Sequence, residues 1–332
     1  MSAATKSFRA ERGEAGERLD RALLARLSHL PALSRTRVQA WIEAGQVRVN
    51  GAEVRRPAAR LALGDEVLLA LPEVAPLETP LPEDRPLAIL YEDDDLLALD
   101  KPAGLLVHPT PKERQGTLWN RLLHRAADWG EGRLPSLVQR LDRDTSGVLL
   151  VAKGREVAAA LARGLRGPQA EKAYLALVQG RVPAAKGRID LGILRDPEDH
   201  RRFTASPWEG QPSSTLWERL AEADSAPLTL LACRLLTGRT HQIRVHLKAQ
   251  GWPLVGDPLY GEPRLLETAD PETTELARRC RELPRQALHA WRLAFLHPRT
   301  RQTVAVEAPV PEDLAELLRA AGMRLPPAQS AR

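Results

Sequence analysis

The sequence predicts an α+β protein of two domains. A small N-terminal helix–helix–hairpin domain precedes a larger domain built on a mixed, largely antiparallel β-sheet with flanking helices and loops. Three observations predict this class. The 332 residues are enough for two domains, one of them with a sizeable core. Five prolines and four acidic residues within 71–88 forbid a helix, which indicates a linker over 71–87. Beyond it, strand patterns outnumber helical patterns and do not alternate with them.

The composition favours a phosphate-bearing partner in a reducing compartment. The net charge is +5 and the pI about 9.5, and arginine, which holds phosphate through paired hydrogen bonds, supplies most of the positive charge. A G/C-rich genome also enriches arginine, and composition alone does not decide between the two explanations. Cys233 and Cys280 are too few for a disulfide framework or a thiolate metal site. No apolar run has the length of a membrane span and the opening residues lack a signal-peptide centre, so we expect a cytoplasmic protein.

Two helices and a hairpin are predicted in the first domain. Leu19, Leu23, Leu27 and Leu30 recur at helical spacing. A second helix follows in "SRTRVQAWIEAG", with Ser34 as its N-cap and Gly45 as its left-handed stop. In "QVRVNGAEV" alternating valines lead into Asn-Gly, the strongest short hairpin signal.

The order of these parts resembles the RNA-binding domain of the ribosomal-protein-S-four type. The resemblance rests on "GERLDRALLARL", "LSRTRVQAWIEAGQVRVNGAEV" and "LALGDEV". It implies an RNA-binding domain over 16–70, preceded by a tail over 1–15, with Arg35, Arg37 and Arg48 as RNA contacts. Without the resemblance, an arginine-rich, solvated mini-domain would explain the same residues.

The second domain, predicted over 88–315 with a C-terminal tail over 316–332, contains helices at "TLWNRLLHRAADWG" and "REVAAALARGL". Strands are predicted at "KAYLALVQG", "PLTLLACRLL", "HQIRVHL", "LHAWRLAFLHP" and "TVAVEAP". The acids of 92–95 are predicted to form a solvated hairpin tip rather than a metal site, because no other ligand type lies at a fixed spacing from them.

The stretch "LVQRLDRDTSGVLLVAKG" places a dense polar cluster before an apolar strand. Asp142 and Asp144 point the same way on an extended segment, so periodicity cannot choose between them. A loop whose polar side chains satisfy the local backbone is the ordinary explanation of such a cluster.

Five motifs in register resemble the RluA-type branch of the pseudouridine synthases: "DKPAGLLVHP", "QRLDRDTSGVLLVAK", "EKAYLALVQG", "TGRTHQIRVHL" and "PLVGDPLYG". The resemblance implies that Asp142 is the catalytic aspartate, that Arg244 pairs with it, and that Tyr174 packs on a flipped base. It gives Arg140 the role of filling the gap left by that base. Arg239 and His241, in the motif that contains Arg244, are expected to contact RNA.

The implied reaction isomerises a uridine within RNA to pseudouridine, with no metal, organic cofactor or nucleotide cofactor. Asp142 either attacks the anomeric carbon or removes a ribose proton, and the sequence leaves both routes open. Extruding the uridine costs a few kcal/mol, and stacking on an aromatic ring returns about 1–3 kcal/mol. We expect large-subunit ribosomal RNA as substrate, with transfer RNA as the alternative, and a monomer as the default. Gln139 stands where the family usually has His, which leaves room for a protein that has lost turnover.

Three other functions could also use parts of this sequence. A metal-dependent hydrolase would use His108, His241, His246 and Asp257, but residues 241 and 246 share neither a strand face nor a helix face. A serine hydrolase built on Ser146 lacks the nucleophile-elbow pattern. The strongest rival is a non-catalytic RNA-binding or ribosome-assembly protein.

Overall fold

The computed structural model describes residues 5–27, 35–70, 80–110, 112–262 and 271–324, with the side chains of 271–274 excepted. The predicted N-cap Ser34, Leu30, residues 71–79 of the predicted linker and residues 325–332 of the predicted tail lie outside the described residues. The chain divides into two compact units, Met1–Thr79 and Pro80–Arg332. None of the helices in the described ranges is long and apolar enough to cross a bilayer.

The first unit contains two helices and a small antiparallel sheet. Its elements are β1 (Thr5–Arg9), α1 (Leu19–Arg26), α2 (Arg35–Glu43), β2 (Val47–Val49), β3 (Ala52–Glu53) and β4 (Glu66–Ala70). The strand order is β1-β4-β2-β3. The core joins both helices to the sheet through residues that include Leu19, Leu23, Val38, Ile42 and Val67.

The predicted turn chemistry is confirmed in this unit. Asn50 and Gly51 have φ values of 52° and 80°, which is the conformation that a two-residue hairpin between β2 and β3 requires. Gly45 ends α2 with a φ of 77°. The expected N-terminal tail is wrong at residues 5–9, because β1 pairs with β4 from Thr5 to Arg9.

The second unit is built on an eleven-stranded sheet. Its strands are β5 (Ile89–Glu92), β6 (Leu96–Lys101), β7 (Ser136–Leu137), β8 (Ser146–Ala152), β9 (Glu171–Gln179), β10 (Lys186–Arg195), β11 (Phe203–Ser206), β12 (Gln211–Glu222), β13 (Leu228–Leu235), β14 (Leu288–Leu296) and β15 (Thr303–Glu307). The main order is β11-β10-β12-β13-β9-β14-β8-β6-β5, with β15 on β14 and β7 on β8. Only β8 and β14 pair in parallel among the described strands, which confirms a mixed, largely antiparallel sheet.

Five α-helices accompany this sheet in the described part of the unit: α3 (Leu118–Ala126), α4 (Arg155–Gly164), α5 (Gln242–Ala249), α6 (Pro271–Glu282) and α7 (Glu312–Ala320). A short 3₁₀ turn, Ala127–Trp129, extends α3. Residues of β8 are buried along the whole strand, so the sheet is covered on both faces there. This burial places the start of β8, and the polar loop before it, at the edge of the core.

Two predictions for this unit are wrong. The segment "HQIRVHL", expected to be a strand, forms α5, and residues Gln242 to Leu247 are all buried. The expected tail from residue 316 instead continues α7, whose Leu317 and Leu318 pack into the core. Strands β10, β11 and β12 were not predicted.

Candidate active site

Asp142 lies in the loop between β7 and β8, and the backbone of its neighbours fixes that loop. The buried ammonium of Lys101 donates hydrogen bonds to three carbonyl oxygens, that of Arg143 among them, at 2.7–3.2 Å. The backbone N–H of Gly104 donates to the same Arg143 carbonyl, and the N–H of Thr145 donates to the Asp142 carbonyl. None of these bonds uses the Asp142 carboxylate, which is 26% exposed.

Arg244 connects two carboxylates through one guanidinium. Its Nε and Nη2 donate to Asp257 at 2.8 Å each, and its Nη1 donates to Asp142 Oδ2 at 3.0 Å. Burial on its own would lower the pKa of Arg244, but the hydrogen bonds with Asp257 and the charge of Asp142 outweigh it and raise that pKa. Arg244 is therefore a permanent cation that Asp257 holds in a fixed orientation toward Asp142.

His241 precedes α5 in a left-handed conformation, with a φ of 56°. Its Nδ1 lies 2.9 Å from the Tyr260 hydroxyl, which also accepts the backbone N–H of Phe203. The other ring nitrogen, Nε2, lies 3.9 Å from Asp142 Oδ2. Burial lowers the pKa of His241 despite the opposing charge of Asp142, so a neutral imidazole faces the carboxylate.

Asp142, His241 and Arg244 line a cavity of about 590 Å³. Tyr174 of β9 lines it and is 8% exposed. Burial and then the charge of Asp142 raise the pKa of Tyr174, so its phenol is neutral. A flat, rigid ring next to a carboxylate suits an unstacked nucleobase.

Arg140 and Arg239 line the same cavity. Arg140 is exposed and donates to the Thr240 hydroxyl at 3.3 Å. The backbone N–H of Arg239 donates to the Gln242 side chain at 3.0 Å. Hence the structure brings together the six residues that the sequence predicted in this unit: Asp142, Arg244, Tyr174, Arg140, Arg239 and His241.

The predicted RNA contacts of the first unit have different surroundings. Arg35 donates two hydrogen bonds to the buried Asp20, at 2.9 and 3.1 Å, so its guanidinium also stabilises the fold. Arg37 lies over the Trp41 ring at 5.6 Å. Arg48 of β2 is exposed.

Within the described ranges, no three of the four residues of the rival metal-dependent hydrolase bring their ligand atoms within 4.8 Å of one another. His108 stacks near Trp119 with ring centroids 5.0 Å apart, and His246 bonds the Thr215 hydroxyl at 2.9 Å. His241 bonds Tyr260, and Asp257 binds Arg244.

Ser146 lies 2.9 Å from His289 Nδ1, a contact that the sequence did not predict. Both residues are buried, and His289 Nε2 faces the Ala308 carbonyl rather than a carboxylate. The pair therefore lacks the exposure and the acid that a serine hydrolase needs.

The acidic turn has a partner that spacing did not reveal. One ligand atom each from Asp93, Asp95 and His297 lie within 4.8 Å of one another. His297 Nδ1 accepts the backbone N–H groups of Arg299 and Thr300, which assigns the ring proton to Nε2, 3.0 Å from Asp93 Oδ2. Among the residues that the structure describes, no fourth ligand atom joins this cluster, in which His297 Nε2 also lies 3.6 Å from Asp95 Oδ2.

Sequence reasoning missed two residues that build the site, Asp257 and Lys101. Each lies within a quoted motif, "PLVGDPLYG" and "DKPAGLLVHP". The signal for Asp257 was that it is the one acid of its motif, while its partner Arg244 occupies another motif.

Comparisons with known proteins agree with this geometry. A family model described as RNA pseudouridylate synthase matches residues 95–249, and an S4 domain model matches residues 17–67. The ribosomal large subunit pseudouridine synthase D of Nitrosomonas europaea is 42% identical over 92% of this chain and 85% of its own. An uncharacterised RNA pseudouridine synthase of Bacillus subtilis, YlyB, is 40% identical over 86% of this chain and 88% of its own.

Solved structures give the same fold. Human RNA pseudouridylate synthase domain containing 1 aligns with a TM-score of 0.53 and 27% identity, covering 73% of this chain and 97% of its own. Human RNA pseudouridylate synthase domain containing 4 aligns with a TM-score of 0.58 and 22% identity, covering 72% and 95%.

Proposed function

Since the chain belongs to the RNA pseudouridylate synthase family and carries an S4 domain, we propose that it isomerises uridines of large-subunit ribosomal RNA with Asp142 as the catalytic residue. The choice of RNA is supported by the names of the similar proteins from Nitrosomonas europaea and Xanthomonas campestris. The choice of residue is supported by one observation above all, the hydrogen bond of 3.0 Å from the buried Arg244 to Asp142 beside the cavity.

The reaction breaks the bond between C1′ and N1 of uridine and joins C1′ to C5. The hydrogen on C5 is lost as a proton and N1 gains one, so the atoms of the nucleotide balance. Asp142 either forms a temporary bond to C1′ or removes the C2′ proton, and an ionised carboxylate serves both routes. Arg244 is a fixed cation at hydrogen-bonding distance and orients the Asp142 carboxylate beside the cavity.

Base flipping brings the uridine to the carboxylate. Unpairing costs a few kcal/mol, and stacking on Tyr174 returns about 1–3 kcal/mol. Arg140, exposed at the cavity rim, is placed to occupy the gap left in the RNA. We propose that the protein acts as a monomer, and ribosomal RNA as substrate supports a cytoplasmic location.

Asp142→Asn tests the proposal, with Asp144→Asn as the matched control two residues away. RNA labelled with tritium at C5 of uracil releases its label as the isomerisation proceeds. We expect Asp142→Asn to lower the release at least about a hundredfold, the usual minimum for loss of a positioned acid–base group, and to keep RNA affinity. Asp144→Asn should release label at the wild-type rate. Equal release from wild type and Asp142→Asn would refute Asp142 as the catalytic residue, whereas no release from wild type would support a protein that only binds RNA.

The substrate is tested separately. Pseudouridines in the ribosomal RNA of a deletion strain should disappear at one or more large-subunit positions and return when the gene is restored. Loss confined to transfer RNA would contradict the proposed substrate and leave the proposed residue intact.

A further inference from the structure

The cavity extends beyond the proposed catalytic residues. Besides the groups around Asp142, its lining includes Ala162, Leu165 and Arg166 at the end of α4, and Lys172 of β9. None of these four residues has a role in the reaction described above. The wall formed by α4 and β9 is therefore available to contact parts of the RNA other than the reacting base.

Lys172 is half-buried and points to this cavity. It precedes Tyr174 by two residues on β9, so both side chains leave the same face of the strand, whereas the adjacent acid Glu171 leaves the opposite face. The residue opposite Lys172 on β14 is Leu293. Within the described ranges, the Lys172 ammonium makes neither an ion pair nor a hydrogen bond, and burial lowers its pKa with no acid to oppose the effect.

The other lysines that are not fully exposed in this unit have partners. Lys101 donates to three carbonyls, Lys153 pairs with Glu92 at 2.7 Å, and Lys248 pairs with Glu262. A partly desolvated ammonium without a partner costs free energy unless an anion binds to it. Lys172 thus differs from these lysines, because no anion within the described ranges pairs with its ammonium.

The charges around the cavity select the kind of anion. Its lining contains one carboxylate, Asp142, which already binds Arg244. The remaining charged residues of the lining are cationic: Arg140, Arg166, Lys172 and Arg239. An RNA strand that places a base on Tyr174 carries its phosphates within one nucleotide of that base, and phosphate binds such cations strongly.

We propose that Lys172 binds a phosphate of the RNA strand next to the flipped uridine. Lys172 is then an RNA-binding residue that anchors the strand beside the site, and it takes no part in bond breaking. This inference rests on the proposed function, because it names the part of the same substrate that the α4–β9 wall contacts.

The test compares Lys172→Met and Lys172→Gln with Lys172→Arg, and with Lys186→Met as a control at the exposed start of β10. Met and Gln keep the length of the side chain without its charge, so one of them serves if the other fails to fold. Tritium release is measured against RNA concentration at several salt concentrations. We expect both uncharged variants to raise KM about tenfold, as for loss of one charge-assisted contact, with kcat within about twofold of wild type.

Salt dependence supplies a readout that a purely structural role would not change. The slope of log KM against log salt should fall by about 0.7–0.9 in the uncharged variants, one phosphate contact, and stay unchanged in Lys172→Arg and Lys186→Met. A lower kcat with unchanged KM and slope would overturn the proposal, and so would an unchanged KM. Absence of release from the wild type would instead defeat the proposed function, while the salt slope of direct RNA binding by the same variants would still test the phosphate contact.

Discussion

Asp257→Asn tests whether Arg244 is held as the structure shows. The Asp257 carboxylate is fully buried and accepts two hydrogen bonds from Arg244, at 2.8 Å each, and two from backbone N–H groups of Leu259 and Tyr260, at 2.9 and 3.1 Å. An asparagine can keep the backbone bonds and the bond from Arg244 Nη2 through its oxygen, but its NH₂ group would then face Arg244 Nε. The variant therefore loses one anion and gains a donor–donor contact.

The size of the effect follows from burial. Removing one partner of a buried ion pair costs about 3–5 kcal/mol, and the lower end applies because Arg244 keeps Asp142 as a second anion. With about 2–4 °C per kcal/mol for a domain of this size, Tm should fall by about 6–12 °C. Turnover should fall by about tenfold or more as well, since Arg244 loses the group that orients it toward Asp142.

Thermal unfolding followed by circular dichroism, together with tritium release, measures both effects. Asp199→Asn is the control, because Asp199 forms an exposed ion pair with Arg201 and its loss should change Tm far less. A Tm for Asp257→Asn within about 2 °C of wild type would refute the reasoning, since a buried, doubly bonded pair should cost several times that shift.

Three further predictions follow from the same loop and cavity. Burial lowers the pKa of Lys101 to about 8, so between about pH 8 and pH 10 the unfolded chain binds more protons than the folded one, and wild type should gain stability over Lys101→Met as pH rises. Urea unfolding at pH 7.5 and 9.5 checks this, and an equal stability difference at both pH values would contradict it. Gly147→Ala should prevent a stable fold because a Cβ there would lie 2.2 Å from the Ala290 carbonyl oxygen. The control Gly104→Ala has open space around it and should cost only about 1 kcal/mol for its φ of 80°. Similar melting temperatures of the two variants would exclude the clash. Tyr174→Ala should raise KM about fivefold to 150-fold through lost stacking while Tyr174→Phe stays near wild type, and matching values for both variants would remove the stacking role.

The sequence predicted the elements whose pattern is set by local chemistry. The Asn50-Gly51 turn and the stop at Gly45 need positive φ angles, which few residues adopt, so the residue type specifies the conformation. The strands β8 and β9 contain continuous apolar runs, VLLVA and AYLALV, and a run of that length in a mostly antiparallel domain indicates a buried strand.

The sequence failed where burial removes the difference between the faces of an element. In α5, Ile243, Val245 and Leu247 alternate with polar residues, which predicts a strand. Residues 242–247 of the helix are all buried, and Arg244 pairs inside the protein with Asp257 while His246 bonds Thr215 through Nδ1. Hydrophobic periodicity identifies a helix when one face contacts water, so it could not identify this one.

Long-range pairing was the second limit. Nothing in the spacing of the chain tells which acid will meet Arg244, because Asp142 is 102 residues away and Asp257 is 13 residues away. The family resemblance supplied the first partner and the structure supplied the second. The predictions for the two ends of the chain were wrong for a related reason. Strand β1 pairs with the distant β4, and α7 packs into the core around Leu314.

Gln139 occupies the position before Arg140 and Asp142 where the family usually has histidine. The Gln139 amide donates a hydrogen bond to the Val148 carbonyl at 3.0 Å, a bond that an N–H of the histidine usual in the family could also supply. Lys101 and Gln286 also hold this loop, through the Arg143 carbonyl and the Thr145 hydroxyl. This contact requires a donor of suitable reach, so a glutamine there can hold the loop that carries Asp142.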